Sequence, residues 1–511
     1  MAVTVKRFSA DVVVAGGGVA GAAAAIAAGR AGKRVFLLEY RESLGGLVTN
    51  GYITGIAGCV DGLCKEWLDR LNAEGHATMR PHLPVIEPEY GRVMLEQMVL
   101  QSGARILYGT HVVDVVKEDN RIKSVVAYCK NGRIELDADV FVDATGDADL
   151  AMAAGCPIEV GNAEFMGLNQ SVTMGFKLSY VNINRYREGA AAFFQSDEFD
   201  PESPKHSTYI VHLEHKAIEN GDLHDLLSPG NLVYVMPGDP ACTDVTLDAT
   251  HTFDCHCDDV VDLTRQIVDQ HRKVIWFVEF LNKYVAGFEN AKLTSFAPMN
   301  GIRESRRVMG EYIMKAEDVA AARKFEDGIW QHAEVFDAHV PTPGFHTANR
   351  HIHANGPIEP AICRPMPNDK DYMMHPFVIP LPWEVRTNPR EYCEIPFRSL
   401  IAKGVDNLLV AGRCFSADYH ANGCIRIIAA CMGMGQAAGT GAALFLDQKL
   451  AAVRDLDGKL VREDMIRQGV KLNELPGGYW KNIREFEGEI FINGGDMADI
   501  RNAEGKTPYI F

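Results

Sequence analysis

The sequence predicts an α/β fold in which the chain builds most of a parallel, nucleotide-binding sheet, leaves it for a long insertion, and returns to complete it. Two glycine-rich segments predict this. One is Asp11-Val-Val-Val-Ala-Gly-Gly-Gly-Val-Ala-Gly21; the other runs from Asn407-Leu-Leu-Val-Ala-Gly-Arg-Cys414 to Gly435-Gln-Ala-Ala-Gly439. The third observation is length: 511 residues, 47% hydrophobic and 23% charged, can bury full cores in two or more domains.

The elements follow in order. Asp11–Ala15 is a short β-branched run, Gly16–Gly21 the turn, Val19–Ala31 an Ala-rich helix, and Val35–Leu38 a second strand ending at Glu39. Strand, turn, helix, strand in these lengths is a Rossmann-type βαβ unit. Glu89–Gly103 reads as a helix. Strands are expected at Arg105–Tyr108, His111–Lys117, Ile122–Cys129 and Arg133–Leu136, with Asn131-Gly132 turning the last pair. Val140–Val142 is a buried strand entering Asp143-Ala-Thr-Gly-Asp147. Beyond Gly155 the pattern turns to mixed strands and polar loops. The Pro- and His-rich stretch from His339 to Arg390 is expected to form a substrate-side cap. Leu408–Ala411 restores the buried-strand pattern, and a long helix starts near Ile427. The expected division is 1–155 and 395–450 for the two parts of the nucleotide domain, 156–394 for a mixed, β-rich substrate domain, and 451–511 for an extension.

Charge narrows the partners. Lys and Arg number 51 against 68 Asp and Glu, a net −17. Phosphate backbones and anionic membranes need clustered cations, so neither nucleic acid nor a membrane is expected. The apolar stretches Val12–Gly29 and Ile427–Leu446 read as buried elements beside a nucleotide, since both are dense in Gly and Ala. The 12 cysteines include no CxxC pair, and the start of the chain leaves no room for a signal peptide before the first strand. Reduced thiols in a cytoplasmic protein are the expectation. The His251–Asp259 segment offers His, Asp and thiol groups, but its tight spacing lacks a partner motif; it is expected to be an exposed loop, with no metal bound.

Gly16, Gly18 and Gly21 match G-x-G-x-x-G between strand and helix. The first permits the turn, the second lets backbone approach a pyrophosphate, and the third allows close packing, while the helix N-terminus favours the anion. Glu39 is placed to accept hydrogen bonds from ribose hydroxyls and would repel a 2′-phosphate. Ala20, Tyr40 and Val113 are assigned to the same cofactor. Gly45-Gly46 lets the chain run close to a ligand, and Thr49 offers a hydroxyl. Ala144, Thr145, Gly146 and Asp147 form a small-residue turn after a buried strand. A fold that is left and rejoined in this way usually holds FAD.

These segments, with Gly301-Ile-Arg-Glu-Ser-Arg-Arg307, Gly310-Glu-Tyr312, Ile395-Pro-Phe-Arg-Ser-Leu400 and Ala411-Gly-Arg-Cys-Phe-Ser-Ala417, resemble the FAD-dependent oxidoreductase family related to glutathione reductase and fumarate reductase flavoproteins. The resemblance covers residues 11 to about 445. It implies a two-part FAD domain with an inserted substrate domain, and flavin redox chemistry. It puts Gly412 and Arg413 near the FAD phosphates and the Gly423–Met434 stretch under the flavin ring, with Ile425 and Ile427 lining it. Relatives often carry His-Glu where this chain has Tyr419-His420. Iron–sulfur ligand runs are absent, so FAD without clusters is expected.

The catalytic candidates are Tyr419 and His420, beside the ring by resemblance, with His339 on the cap as an acid–base group and Arg303 as a carboxylate clamp. Arg303, Glu304, Arg306 and Arg307 also read, and more readily, as buried ion pairs. Substrate oxidation by hydride transfer to flavin N5 is favoured, with O2 or a protein as electron acceptor; the chain shows no second dinucleotide fingerprint. A flavin-dependent reductase and a non-catalytic scaffold are the alternatives. Covalent attachment through Cys59, Cys64 or a histidine is left open, and a homo-oligomer is allowed.

Overall fold

The computed structural model describes residues 6–79, 83–199, 209–223, 232–332 and 392–472. The expected cap from His339 to Arg390 lies outside these residues. Five strands form a parallel sheet in the spatial order Leu408–Val410, Val140–Asp143, Val12–Ala15, Val35–Leu38, Arg105–Leu107. Every neighbouring pair is parallel. The inner strands read as unbroken apolar runs because both faces are covered. On one face Val12, Val14 and Leu37 meet helices; on the other Val13, Phe36 and Phe141 meet a second sheet. Leu408 pairs with Phe141 and Val410 with Asp143, so a late segment completes a sheet begun at residue 12.

The second sheet comprises Lys6–Ser9, Gly132–Asp137, Arg121–Cys129 and His111–Glu118. Its hairpin closes with Cys129 opposite Gly132, and Gly132 takes φ 85°, where a side chain would be strained.

Helix Val19–Arg30 packs along helix Ile428–Asp447 through bare backbone. A Cβ on Gly435 would stand 2.0 Å from the Ala20 carbonyl oxygen, and one on Gly439 2.2 Å from that of Ala24. Small residues therefore set the helix separation. Of the described helices, Ile428–Asp447 alone is long and apolar enough to cross a membrane, and 89% of its apolar window is buried inside the protein.

A third sheet is antiparallel: Leu232–Val235, Thr243–Thr252, Val172–Val181, Lys292–Phe296. Helices Ile183–Phe194, Tyr209–Glu219 and Val260–Tyr284 cover it. Among the described residues the insertion is thus mixed, with long helices beside its strands. Val260–Tyr284 has 25 residues, against 10 in each of the two longest strands. Its buried stripe of Gln266, Gln270, Val274, Phe277 and Leu281 keeps helical spacing, although Val261, Val268, Ile275 and Trp276 are exposed. Asp259 starts it, accepting hydrogen bonds from the Val261 and Asp262 amides. The His251–Asp259 segment is not the exposed loop expected: His251, Cys255 and Cys257 are buried, and only Asp254, Asp258 and Asp259 are exposed. The segment Gly51–Thr54 ties this sheet to the first half. Tyr52 Oη lies 3.0 Å from Ser295 Oγ, and Thr54 Oγ1 2.8 Å from Thr246 Oγ1.

Candidate functional site

The site is built on the C-terminal ends of the parallel strands. Gly16 leaves the first strand with φ 94°, and a Cβ there would meet the Ala144 carbonyl oxygen at 2.4 Å. A Cβ on Gly21 would stand 1.7 Å from the Gly16 oxygen. Both glycines are demanded by the protein itself. Gly18 differs: the nearest atom to its Cβ position is Gly46 Cα at 4.0 Å. It is the N-cap of helix Val19–Arg30, which has no side-chain cap and no acidic residue in its first turn. An open glycine face at an uncapped helix N-terminus is a cradle for an anion.

The other predicted glycines gather there. Gly45 forms a parallel bridge with Gly18, and its N–H donates to the Gly17 carbonyl at 2.9 Å. Gly45 and Gly46 take φ 103° and 57°. Glu39 is buried, its carboxylate accepting from the Gly17 amide at 2.5 Å and the Arg41 amide at 2.7 Å. Burial pushes its pKa up against those hydrogen bonds. Each carboxylate oxygen keeps a further lone pair, as ribose recognition requires. Tyr40 is exposed beside it, its ring 5.1 Å from that of His111, and Thr110 N–H donates to the Glu39 carbonyl. Val113 is exposed on the strand that follows Thr110.

The Ala144–Asp147 turn is fixed from below. Asp143, fully buried, accepts from Thr145 N, Thr145 Oγ1 and Ala151 N. Gly146 takes φ 83°, and Gly412 takes φ 84° with its Cβ position 2.9 Å from Ala20 Cβ. Glycines from residues 16–18, 45–46, 146 and 412 therefore surround one helix N-terminus. The Ala20–Gly435 contact lies seven residues into helix Ile428–Asp447, about 10 Å from that helix's own start. That start, after Ile427, also lacks a side-chain cap and first-turn acids.

A family model described as FAD dependent oxidoreductase matches residues 11–465, which span every one of these segments. The chain belongs to the FAD dependent oxidoreductase family. It is an FAD-dependent oxidoreductase, a flavoprotein whose cofactor is FAD. Thiamine thiazole synthase of Aeropyrum pernix is 30% identical over 153 residues, covering 28% of this chain and 56% of that protein. The chain thus spans just over half the length of that relative. Among solved structures, a geranylgeranyl bacteriochlorophyll reductase-like protein from Thermoplasma acidophilum is 10% identical with a TM-score of 0.44, covering 91% of this chain and 84% of that one. The flavin-dependent brominase Bmp2 is 11% identical with a TM-score of 0.40, covering 90% and 83%.

Several of the predicted site residues of the oxidoreductase are engaged with protein partners. Thr49 is fully buried and its hydroxyl donates to the Leu44 carbonyl at 2.5 Å, supporting the Gly45 turn instead of facing a ligand. All three Arg413 nitrogens meet protein acceptors: Nε the Gly146 carbonyl at 2.8 Å, Nη2 Asp147 at 2.6 Å, Nη1 the Ile302 carbonyl. Arg413 is thus a brace between the turn and the Gly301–Arg307 segment, where a phosphate contact was expected. Ile425 is fully buried in the core, while Ile427 is partly buried against Gly58.

Arg303 donates to the Ser171 carbonyl at 2.9 Å and lies 3.2 Å from His251 Nε2 and 3.6 Å from Asp248. A guanidinium so engaged is no open carboxylate clamp. Glu304 is fully buried and receives Arg307, Asn169 Nδ2 at 2.8 Å and Gly161 N at 3.0 Å. Tyr419 is buried with the Arg307 guanidinium 5.8 Å from its ring centroid. Burial holds the phenol well above its usual range, so Tyr419 stays protonated at neutral pH. His420 is half-buried on helix Tyr419–Ile425, which Asp418 caps through Ala421 N at 2.7 Å. His339 lies outside the described residues.

Sequence reasoning missed His332. It is buried on strand Gly328–His332, with Nε2 3.2 Å from Cys424 Sγ. Burial pulls its pKa down to about 3, so the imidazole is neutral. Cys424 lies in the Gly423–Met434 stretch but His332 lies in no motif, and only the fold joins them. Cys64, considered for covalent attachment, is buried with its thiol pushed up to about 12 and is no nucleophile at neutral pH. A groove of 790 Å³ lies at the opposite end of helix Val19–Arg30, lined by Arg30, Glu66 and Arg70 among others, away from every glycine of the cradle.

Proposed function

We propose that this flavoenzyme oxidises a small organic substrate and passes the electrons to O2 or a protein acceptor. The reading keeps the two-part FAD domain, with the strand at Leu408–Val410 belonging to the same unit as Val12–Ala15, and the wider kinship with glutathione reductase and fumarate reductase flavoproteins. The observation that carries it is the open face of Gly18 beside Gly46 at an uncapped helix N-terminus. Gly18, Gly45, Gly46 and the Ala144–Asp147 turn would hold the pyrophosphate, with Glu39 on the ribose and Tyr40 and Val113 toward the adenine. Bound there, FAD supplies two-electron redox chemistry, a hydride exchanged at flavin N5.

The chain's own residues do the rest. The uncapped start of helix Ile428–Asp447 offers positive potential to charge accumulating nearby. Arg307, neutralised by Glu304, holds the backbone at Ala417 through Nε at 3.2 Å and so fixes the segment that carries Tyr419 and His420. Protonated Tyr419 can donate a hydrogen bond but not accept a proton, which leaves His420 to take the proton released in the oxidation.

The test is the visible spectrum of purified protein before and after acid precipitation. A yellow supernatant containing FAD is expected, followed by anaerobic bleaching with the right substrate class. Colour retained in the pellet would mean a covalent link. Bleaching by NAD(P)H alone would reverse the proposed direction and make the enzyme a reductase.

A further inference from the structure

We propose that Cys255 and Cys257 form a redox pair that closes to an intrachain disulfide and so regulates the polar support of the site. The two sulfurs lie 3.8 Å apart in the bend between strand Thr243–Thr252 and helix Val260–Tyr284. The bend is held in register by one residue, through its side chain on one side and its backbone amide on the other. Cys257 N–H donates to Asn169 Oδ1 at 2.7 Å, and Asn169 N–H donates to the Cys255 carbonyl at 3.0 Å. Asp254, just before the pair, takes φ 56°, which turns the backbone sharply. Both sulfurs pack against Val172, Leu263 and Ile302 under the exposed Asp258 and Asp259.

The two thiols are not equivalent. The Cys257 S–H donates toward Cys255, which lowers the Cys255 pKa and raises that of Cys257 well above the usual value. Cys255 is therefore the attacking thiolate and Cys257 the resolving thiol. The oxidant is a low-molecular-weight disulfide. Cys255 attacks one of its sulfurs, the small S–S bond breaks, and the first small thiolate leaves with the electron pair. Cys257 gives its proton to that thiolate and attacks Cys255 Sγ, expelling the second small thiolate, which takes up the proton Cys255 had lost. Two protein thiols are oxidised and one small disulfide is reduced to two thiols.

Closing the bond brings the sulfurs from 3.8 Å to about 2.05 Å and pulls on both backbone bonds to Asn169. Asn169 Nδ2 also donates to Glu304 at 2.8 Å and to the Ser305 carbonyl at 3.2 Å, while Ser305 Oγ donates to Asp147 at 2.5 Å. The pair is thus wired to the Ala144–Asp147 turn. Its chemistry does not depend on the FAD reading.

The test incubates native, reduced protein with excess glutathione disulfide, quenches with acid, alkylates in denaturant and maps the chymotryptic peptide Asp254–Leu263. That peptide contains Cys255 and Cys257 and no other cysteine. The expected result is loss of both alkylation sites and of two hydrogens in mass, restored by dithiothreitol. Two alkylated thiols after prolonged incubation, or a mixed disulfide that persists on either residue, overturns the proposal.

Discussion

At Gly18 the backbone is extended, with φ −62° and ψ 178°, and any residue could adopt it. The glycine is kept for empty space, not for its torsion. Gly18→Ala should leave the apoprotein within about 1 kcal/mol of the parent, the ordinary loss on replacing an N-cap glycine. The same methyl group would fill the cradle and weaken FAD binding about 10-fold or more, about 1.4 kcal/mol. Gly21→Ala should do the reverse, costing about 3 kcal/mol in the apoprotein because its Cβ meets a carbonyl oxygen at 1.7 Å. Urea melts and flavin titration of both variants separate the two roles; equal destabilisation would remove the case for a ligand at Gly18. A second outcome belongs to His420. His420→Gln should lower kcat about 100-fold and abolish the acidic limb of its pH profile while FAD remains bound. The glycine turn and Glu39 were legible because their chemistry is local in sequence. The partners of Thr49, Arg303 and Arg413 were not legible, because a side chain's partner is set by tertiary contact, and Leu44, Ser171 and Gly146 are not visible as acceptors in a string of letters.

Elements meet here through what their side chains lack. Gly435→Ala gains helix propensity of about 1 kcal/mol, yet its Cβ would press on the Ala20 carbonyl oxygen at 2.0 Å. We expect a net loss of about 2 kcal/mol in chemical denaturation, with flavin lost at lower denaturant than in the parent; an unchanged midpoint would mean that the two helices are not in contact at Gly435. The short helix Asp149–Ala153 carries a different signature. Burial, with Asp147 and Asp143 nearby, pushes the Asp149 pKa up to about 6 despite Arg306 at 3.2 Å. A raised carboxyl pKa means that the folded state holds the proton more tightly. Its contribution to stability is whole below the unfolded value near 3.8, falls as pH rises, and is gone above about 6. Asp149→Asn should therefore gain about 2 kcal/mol on the parent between pH 4 and pH 7 in thermal melts, a gain absent if the carboxylate is ionised throughout. The parallel strands could be read from their unbroken apolar runs. Helix Val260–Tyr284 was missed although its buried positions keep helical spacing, because two of them are Gln266 and Gln270 and five large apolar residues on it are exposed.

Across the whole molecule, parallel pairing binds Leu408–Val410 to Val140–Asp143. In time, that pairing is an order of events. While the ribosome is still making residues 144 to 407, the Val140–Asp143 strand has no neighbour on its outer side. It is apolar and hydrogen-bond hungry, the condition in which edges capture other chains. The nascent chain must shelter that edge until the last strand emerges, and a message truncated within the insertion would yield a protein with the glycine turn intact and one side of its sheet open to aggregation.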